Sequence, residues 1–305
     1  MGIGRGYGKL LLFGEHAAVY GHPALGIRLD DYLEVDVEPG AGTGWSIPDL
    51  GGRERSLIAA VLAQVQGAPD SGRLRVRGTL PMSVGFGSSA AFCTALLRAI
   101  GSPAARDPRT LWREAHRLEH VFHGTPSGID TGLSVYEGPS LITPAPSGLP
   151  HREPARLPRA ALLVGAVRRT SSTADLVASI RERRRHDENA ADSVLARLGE
   201  LAVLAGTRQT CPDAETLGCA ATEAQALLAG LGLSTPTLDA ALATIRRAGA
   251  YGAKLSGAGG GGAFYGVFQS VEGAEAGARA LRREVAQADV VSLRTIAIGD
   301  QPSSN

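Results

Sequence analysis

The sequence of 305 residues carries little net charge and has no long apolar run. Its formal net charge is +1, so electrostatics give no reason to expect a nucleic acid or a membrane surface as partner. No stretch approaches the roughly 18 apolar residues that a membrane-spanning helix requires. A secretory signal is not expected either, because Lys9 precedes only a short apolar run.

Cysteine is also scarce. The three cysteines, Cys93, Cys211 and Cys219, leave one over from any pairing and do not have metal-ligand spacing. This argues against a disulfide framework and a zinc site, and predicts a reducing, cytoplasmic environment. Apolar residues make up 44% of the chain and charged residues 20%, the balance of a globular protein long enough for one large or two ordinary domains.

Glycine, in contrast, is abundant, with 40 residues against roughly 20 expected from average usage. Part of the excess lies in four separated stretches, each of which could by itself be a turn. The four stretches are residues 8–16, 81–90, 124–130 and 254–262. Their joint occurrence in this order predicts a single phosphate-handling site.

The stretch 81–90 follows a predicted strand and opens a predicted helix, so backbone N–H groups and the positive end of a helix dipole face an incoming anion. Gly85 and Gly87 let the backbone approach phosphate oxygens without an intervening Cβ. Of the two serines that follow, one can ligate a magnesium ion. A serine cap after a tight turn explains the stretch equally well by itself. The pattern is neither a Walker A loop nor a dinucleotide-binding fingerprint.

Two carboxylates and one lysine form a second candidate group. Glu119 lies on a predicted helix, and Asp130 follows a Ser-Gly-Ile turn. One carboxylate can hold a metal while the other stands near a substrate hydroxyl, as phosphoryl transfer requires. Two unrelated surface acids are the alternative. Lys9 precedes a buried strand and is either a solvated edge residue or a charge aimed at a phosphate or at Asp130.

The run 257–262 holds five glycines and one alanine, and ordering it costs much conformational entropy. A flexible linker is the alternative, but apolar residues flank the run closely. We therefore expect the backbone there to approach another group closely. Glu15 and His16 form a polar pair after the first apolar strand, where an isolated histidine is more often a structural group than a ligand.

Apolar patterns predict strands and helices without a regular βαβ alternation, which indicates an α+β fold in two domains. A proline-rich passage, residues 144–158, is the candidate boundary. Strands are expected near 9–13, 29–37, 74–80, 160–167, 262–268 and 290–298. Helices are expected near 56–66, 89–100, 108–122, 173–184, 192–205, 217–231, 237–248 and 273–286.

Taken together, the motifs resemble those of the GHMP kinases (galacto-, homoserine, mevalonate and phosphomevalonate kinases). The Pro-x-x-x-Gly-x-Gly-Ser-Ser-Ala pattern at 81–90 is that of the whole family, whereas residues 8–21 and 124–130 match its mevalonate kinase forms. The resemblance covers nearly the whole chain. One departure is Phe86, which replaces the usual leucine of Gly-Leu-Gly and brings a ring that could alter how the loop packs.

The resemblance implies a two-domain GHMP kinase fold. Residues 1–155 would form a domain similar to ribosomal protein S5 domain 2, with the ATP phosphate loop and the catalytic aspartate. Residues 156–305 would form a ferredoxin-like domain, with a glycine-rich loop that closes the site.

The resemblance also implies roles for single residues. Asp130 would accept or orient the proton of the alcohol, and Lys9 would lower the pKa of that alcohol and stabilise the transferred phosphoryl group. Ser89 and Glu119 would ligate Mg²⁺. The ATP phosphates would contact two loops through Pro81, Gly85, Gly87, Ser88, Ser89, Ala90, Gly257, Gly259 and Gly260.

On the substrate side, the resemblance places Glu15 and His16, together with the segment 169–177. The implied reaction is ATP-dependent phosphorylation of the primary alcohol of mevalonate to 5-phosphomevalonate, in isoprenoid biosynthesis. Two alternatives stay open: another small alcohol (phosphomevalonate, homoserine or a sugar), or a non-catalytic ligand sensor of the same fold. A homodimer stays open as well.

Overall fold

Two sheets, one in each half of the chain, organise the computed structural model, which describes residues 2–48, 51–124, 126–146, 148–206, 212–286 and 289–299. The first sheet holds β1 (Ile3–Phe13), β2 (Ala24–Pro39), β3 (Gly44–Ser46), β4 (Ser71–Gly78), β5 (Pro139–Thr143) and β6 (His151–Pro154). The long strand β2 is central, because it pairs with β1 along one edge and with β4 and β5 along the other. All pairs are antiparallel except β3 with β4.

The helices of this half are α1 (Gly52–Leu62), α2 (Ser88–Ala99), α3 (Pro108–His123) and α4 (Ile129–Val135). Helix α2 packs directly on β1, where a Cβ at Gly6 would lie 1.8 Å from the carbonyl oxygen of Ala91. Only glycine permits that approach, and it brings the start of α2 close to the middle of β1. Helix α3 begins as expected, with Asp107 Oδ2 accepting a 2.8 Å hydrogen bond from the amide of Thr110.

The second sheet holds β7 (Ala160–Val167), β8 (Gly252–Leu255), β9 (Gly262–Phe268) and β10 (Val290–Ile298), in the order β10-β7-β9-β8 and antiparallel throughout. Its helices are α5 (Thr173–His186), α6 (Glu188–Gly206), α7 (Ala214–Gly230), α8 (Pro236–Arg247) and α9 (Val271–Glu284). Every residue of β7 and β9 is buried, so both faces of the sheet are covered.

The α+β prediction is confirmed, and each strand and helix expected from the sequence is present. The first sheet ends at Pro154 and the second begins at Ala160. The passage 144–158 is not a plain linker, since it includes the edge strand β6. The boundary between 155 and 156 stays a prediction, and it falls in the gap between the two sheets.

Among the described residues, no helix combines the length and the apolar character needed to cross a bilayer. Cys93 is a buried free thiol and Cys219 an exposed one, whereas Cys211 lies outside the described residues. The environment inferred from the three cysteines stays a prediction.

A buried ion pair joins the two halves. Lys254 Nζ on β8 lies 2.5 Å from Glu15 Oε1 at the end of β1, and neither side chain is exposed to solvent. The ammonium also lies about 5.5 Å from the centres of the Phe13 and Tyr265 rings and donates to the carbonyl of Leu255. Burial raises the pKa of Glu15 and lowers that of Lys254, and in each case the charge of the partner opposes the shift.

Two further hydrogen bonds join the halves beside this pair. Ser256 Oγ donates to the carbonyl of Leu11, and Tyr265 Oη donates to the carbonyl of Leu12, both at 2.8 Å. These carbonyls belong to the last residues of β1. The end of β1 is thus fixed to the second sheet by one charged and two neutral contacts.

We expect Lys254→Met to destabilise the protein by about 3–5 kcal/mol, because it leaves the Glu15 carboxylate buried without its cation. The free energy of unfolding from urea denaturation at neutral pH measures this loss. The double variant Glu15→Gln/Lys254→Met, which removes both charges, should recover at least half of it. Equal losses in the single and double variants would mean that the pairing of the charges is not what stabilises this contact.

Candidate active site

Lys9, on strand β1, and Asp130, on helix α4, form an ion pair. Lys9 Nζ lies 3.2 Å from Asp130 Oδ1, and the exposed fractions of the two side chains are 3% and 38%. Lys9 and Lys254 are the only lysines of the sequence, and both are buried. Lys9 therefore does not lie at a solvated edge. Its ammonium points at Asp130, which was one of the two targets that the sequence allowed for this charge.

The loop 81–90, which the sequence predicts to hold phosphates and which we call the phosphate loop, runs across the side chain of Lys9. The amide of Lys9 donates a 2.9 Å hydrogen bond to the carbonyl of Phe86. Gly87 has a φ of +75°, and a Cβ at this position would lie 2.8 Å from Cγ of Lys9. Glycine is needed here both for the backbone conformation and for the passage of the lysine side chain.

Asp130 stands in the first turn of α4, whose start is fixed by Gly128. Gly128 adopts a φ of +77°, and its carbonyl accepts hydrogen bonds from Trp112 Nε1 at 2.8 Å and from Thr131 Oγ1 at 3.0 Å. A carboxylate in the first turn of a helix is stabilised by the helix dipole. The Ser-Gly-Ile segment that looked like a turn is thus the start of a helix that orients Asp130.

Ser89 and Glu119 meet beside this pair. Ser89 Oγ donates to Glu119 Oε1 at 3.2 Å, and Glu119 is 1% exposed. Its other oxygen, Oε2, is buried without a hydrogen-bond partner among the described residues. Burial, and next the charge of Asp130, raise the pKa of Glu119 to about 8. The hydrogen bond from Ser89 and the charge of Lys9 oppose this rise only in part.

His123 is a site residue that the sequence reasoning missed. Its Nε2 lies 3.1 Å from Ser89 Oγ, and burial lowers its pKa. The available signal was spacing, because Glu119 and His123 are four residues apart on α3 and therefore share a helix face. The hydroxyl of Ser89 has one proton and two neighbouring acceptors. His123 Nε2 can therefore accept the hydrogen bond from Ser89 when Glu119 binds another group.

The start of α2 is open to an anion. Its N-cap residue is Gly87, and no side chain caps the helix, so the N–H groups of the first turn lack intrahelical partners. Ser88 Oγ turns back to accept a hydrogen bond from the amide of Ser83. Ser89 is therefore the serine directed toward Glu119. Pro81 leads into the loop, and Ala90 is fully buried behind it.

The glycine-rich run 257–262 adopts positive φ at each of its five glycines. A Cβ at Gly257 would lie 4.0 Å from Lys9 Nζ and from the carbonyl of Gly85, so this position faces the site. A Cβ at Gly259 would lie 2.4 Å from the carbonyl of Leu233, and one at Gly260 would lie 3.0 Å from Ser171. The close approach expected for this run is therefore to the protein itself at these two positions. Their contact with nucleotide stays a prediction.

Glu15 and His16 do not face open solvent. Glu15 is engaged by Lys254, and His16 Nε2 lies 2.9 Å from the carbonyl of Ala258, to which it must donate. His16 also has a φ of +59°, an uncommon backbone conformation for histidine. Burial lowers its pKa. In this structure the pair connects β1 to the glycine-rich run, and its contact with substrate stays a prediction.

Arg169 follows β7 and lies across the site from the phosphate loop. Its Nη2 donates to Thr173 Oγ1 at 3.1 Å, while its Nε is buried without a partner among the described residues. Burial lowers its pKa. A Cβ at Gly262 would lie 3.4 Å from the Arg169 side chain and 3.1 Å from the carbonyl of Val84. The guanidinium is a partly uncompensated cation in the segment expected on the substrate side.

Two family models match the chain. The GHMP kinases N terminal domain matches residues 55–138, and the GHMP kinases C terminal model matches residues 203–287. The first match contains the phosphate loop and Glu119 together with Asp130, and the second contains the glycine-rich run.

Relatives named mevalonate kinase match along most of the chain. The protein from Methanothermobacter thermautotrophicus is 31% identical over 270 residues, which cover 83% of this chain and 86% of that protein. The protein from Archaeoglobus fulgidus is 28% identical over 272 residues, which cover 86% of this chain and 90% of that protein.

Solved structures agree with these matches. The mevalonate kinase of L. major in complex with R-mevalonate is 25% identical, with a TM-score of 0.80 over 99% of this chain and 97% of that one. The phosphomevalonate kinase of Streptococcus pneumoniae, in complex with phosphomevalonate and AMPPNP, shares the fold at 17% identity, with a TM-score of 0.75 over 98% of this chain and 100% of that one. Both domain models and relatives of nearly full length thus agree with the two-domain architecture, and the chain belongs to the GHMP kinase family.

Proposed function

We propose that this kinase transfers the γ-phosphoryl group of ATP to the primary alcohol of mevalonate and forms 5-phosphomevalonate and ADP. The observation that carries the proposal is the pairing of Lys9 with Asp130 directly beside the Ser89–Glu119 contact. The mevalonate kinases among its relatives, one of them solved with R-mevalonate, support this acceptor. A non-catalytic sensor would not need this combination of groups, and all four are present.

The transfer needs little covalent chemistry from the protein. The alcohol oxygen attacks the γ-phosphorus, the bond from that phosphorus to the β,γ-bridging oxygen breaks, and the alcohol proton passes to a carboxylate oxygen of Asp130. Asp130 is the partly exposed member of its ion pair, so an alcohol can reach it. The ammonium of Lys9 favours the ionised alcohol and stabilises charge on the transferred group.

The residues at Glu119 fit a magnesium ion. A buried carboxylate with a free oxygen and an adjacent hydroxyl are hard oxygen donors of the kind that Mg²⁺ prefers. The described residues contain no cluster of three or more His, Cys, Asp or Glu side chains that could hold a metal. This agrees with Mg²⁺, which usually takes only one or two carboxylates and completes its shell with phosphates and water. When bound, the ion would neutralise charge on the phosphates.

Positive charge and backbone N–H groups line the place for the triphosphate. The start of α2 offers uncapped N–H groups. Glycine at 85 and 87 lets Ala263 and the Lys9 side chain pack against this backbone. Gly257 faces the same space from the second half of the chain. We assign the nucleotide phosphates to this loop on these grounds, with Pro81, Ser88 and Ala90 shaping it.

Arg169 favours an acceptor that carries a carboxylate. Its Nε is a buried donor without a partner, and a carboxylate matches a guanidinium in charge and in geometry. Mevalonate, phosphomevalonate and homoserine have such a group, and galactose does not. The phosphate of phosphomevalonate would require further cations, and among the described residues only Lys254 and Lys9 act on Glu15 with a positive charge. Mevalonate therefore fits better than phosphomevalonate.

A coupled assay of ADP release tests the acceptor. We expect turnover with mevalonate at a kcat/KM at least about a hundredfold above that with homoserine, galactose or phosphomevalonate, since a site with buried polar groups discriminates strongly. A higher kcat/KM for any of the other three would overturn the assignment of mevalonate. ATP-dependent turnover would then still support the kinase chemistry.

Asp130→Asn should lower kcat by about a thousandfold or more, because the amide cannot accept the alcohol proton. Binding of a non-hydrolysable ATP analogue, measured by titration calorimetry, should change less than about threefold. Glu137→Gln, at a carboxylate that is 85% exposed and paired with Arg28, is the matched control and should keep its activity. A near-normal kcat in the asparagine variant would rule out Asp130 as the proton acceptor.

Glu119→Gln should weaken divalent-ion binding by about tenfold or more in the presence of an ATP analogue. Electron paramagnetic resonance of Mn²⁺ reads this directly, without turnover. Glu114→Gln, on the same helix and partly exposed, is the control and should bind Mn²⁺ normally. Equal Mn²⁺ affinity in the two variants would remove Glu119 from the metal site.

A further inference from the structure

Arg294, on strand β10, reaches the phosphate loop from the second half of the chain. Its guanidinium lies over the Phe86 ring at 4.9 Å from the ring centre, and its Nη1 forms an ion pair with Asp31. Phe86 is 1% exposed, and the Arg294 side chain is 20% exposed. An arginine near the C-terminal end of the described chain therefore contacts the loop assigned to the nucleotide.

The register of the second sheet explains why Arg294 points this way. Arg294 pairs with Val164 of β7, whereas its neighbour Thr295 pairs with Leu163. Leu163 faces helix α9, because a Cβ at Gly277 of that helix would lie 3.3 Å from Leu163 Cδ2. Side chains alternate along a strand, so Arg294 points away from α9 and toward the first half.

Asp31 is held beside the same loop by an irregularity in the first sheet. The pairing of β1 with β2 shifts register between Tyr7 and Lys9, and Asp31 lies in the displaced part of β2. The next residue, Tyr32, accepts backbone hydrogen bonds from both Thr79 and Leu80, where the chain enters the phosphate loop. The two partners of Arg294 thus stand on the strand that anchors the loop and on the loop itself.

Phe86 is held at two points. Its carbonyl accepts the hydrogen bond from the amide of Lys9, and its ring lies under the guanidinium of Arg294. Arg294 keeps two buried nitrogens, Nε and Nη2, without hydrogen-bond partners among the described residues. The positive charge of Arg294 is balanced by the carboxylates of Asp31 and Asp30 on β2. The face of the Phe86 ring stabilises it further.

We infer that Arg294 is a positioning residue for the nucleotide: through Phe86 and Asp31 it holds the phosphate loop in the shape that accepts the triphosphate. The inference rests on the assignment of this loop to the nucleotide. It gives Phe86 a role, because a leucine at that position would have no ring for the guanidinium to cover. It also makes nucleotide affinity depend on strand β10.

The test compares Arg294→Met, Phe86→Leu and the double variant. We expect Arg294→Met to raise the Kd of a non-hydrolysable ATP analogue with Mg²⁺ by about tenfold, which corresponds to about 1.4 kcal/mol. Phe86→Leu should raise it by about threefold. The double variant should bind no more weakly than Arg294→Met, because both changes remove the same contact. Arg294→Lys, which keeps the charge, should restore part of the affinity.

A merely structural role would affect both substrates alike. We therefore expect the KM for ATP to rise in Arg294→Met while the KM for the acceptor stays within about twofold. Arg279→Met, at an arginine of α9 that is 61% exposed, is the matched control and should leave both constants unchanged. Because the Kd is measured without acceptor, the result does not depend on whether mevalonate is the substrate.

An unchanged Kd in folded Arg294→Met would overturn the inference, as would a parallel rise in both KM values. Fully additive effects in the double variant would show that the ring is not the partner through which Arg294 acts. If Arg294→Met does not fold, Phe86→Leu and Asp31→Asn decide the matter. Both must then weaken the ATP analogue and leave the acceptor KM unchanged, and any other result would refute the role.

Discussion

The buried pair of Glu15 and Lys254 is the interaction on which the site depends, because the site is built from both halves of the chain. An ion pair without solvent exposure is stable only when each charge keeps its partner at contact distance. This requirement fixes the end of β1 against β8 and therefore sets where Lys9, farther back on β1, stands relative to Gly257. A looser, purely apolar contact would permit more sliding between the halves than phosphoryl transfer tolerates.

The other charges of the site are compensated only in part. Glu119 and Arg169 each keep a buried atom without a partner among the described residues, and burial shifts the pKa of both groups toward the neutral form. Such groups destabilise a protein by themselves. Ligands that bring the missing opposite charges would compensate them, so binding energy and folding stability are coupled at this site. The arrangement is therefore suited to gaining stability when both substrates and the metal are bound.

Much of the fold and the family could be predicted from the sequence, whereas the roles of single site residues stay predictions. Long elements such as α3 and β7 carried clear patterns, and the glycine motifs marked the loop 81–90, whose contact with nucleotide stays a prediction. Short elements such as β8 and α4 were missed, because four to seven residues give too little periodicity. The burial of Glu15 could not be predicted, since its partner lies 239 residues away and only the tertiary fold brings the two together. Arg294 was missed because no local motif marks it, and His123 was missed although its spacing from Glu119 on α3 was an available signal.

The distribution of lysine has a practical consequence. Of the 31 lysine and arginine residues, only two are lysines, and both are buried, so the basic residues at the surface are arginines. One lysine lies at each side of the contact between the halves. The ε-amines are thus shielded from reagents while the halves stay together. Acylating labels aimed at lysine would leave the folded protein's side chains largely untouched, and modification of either amine would report separation of the halves.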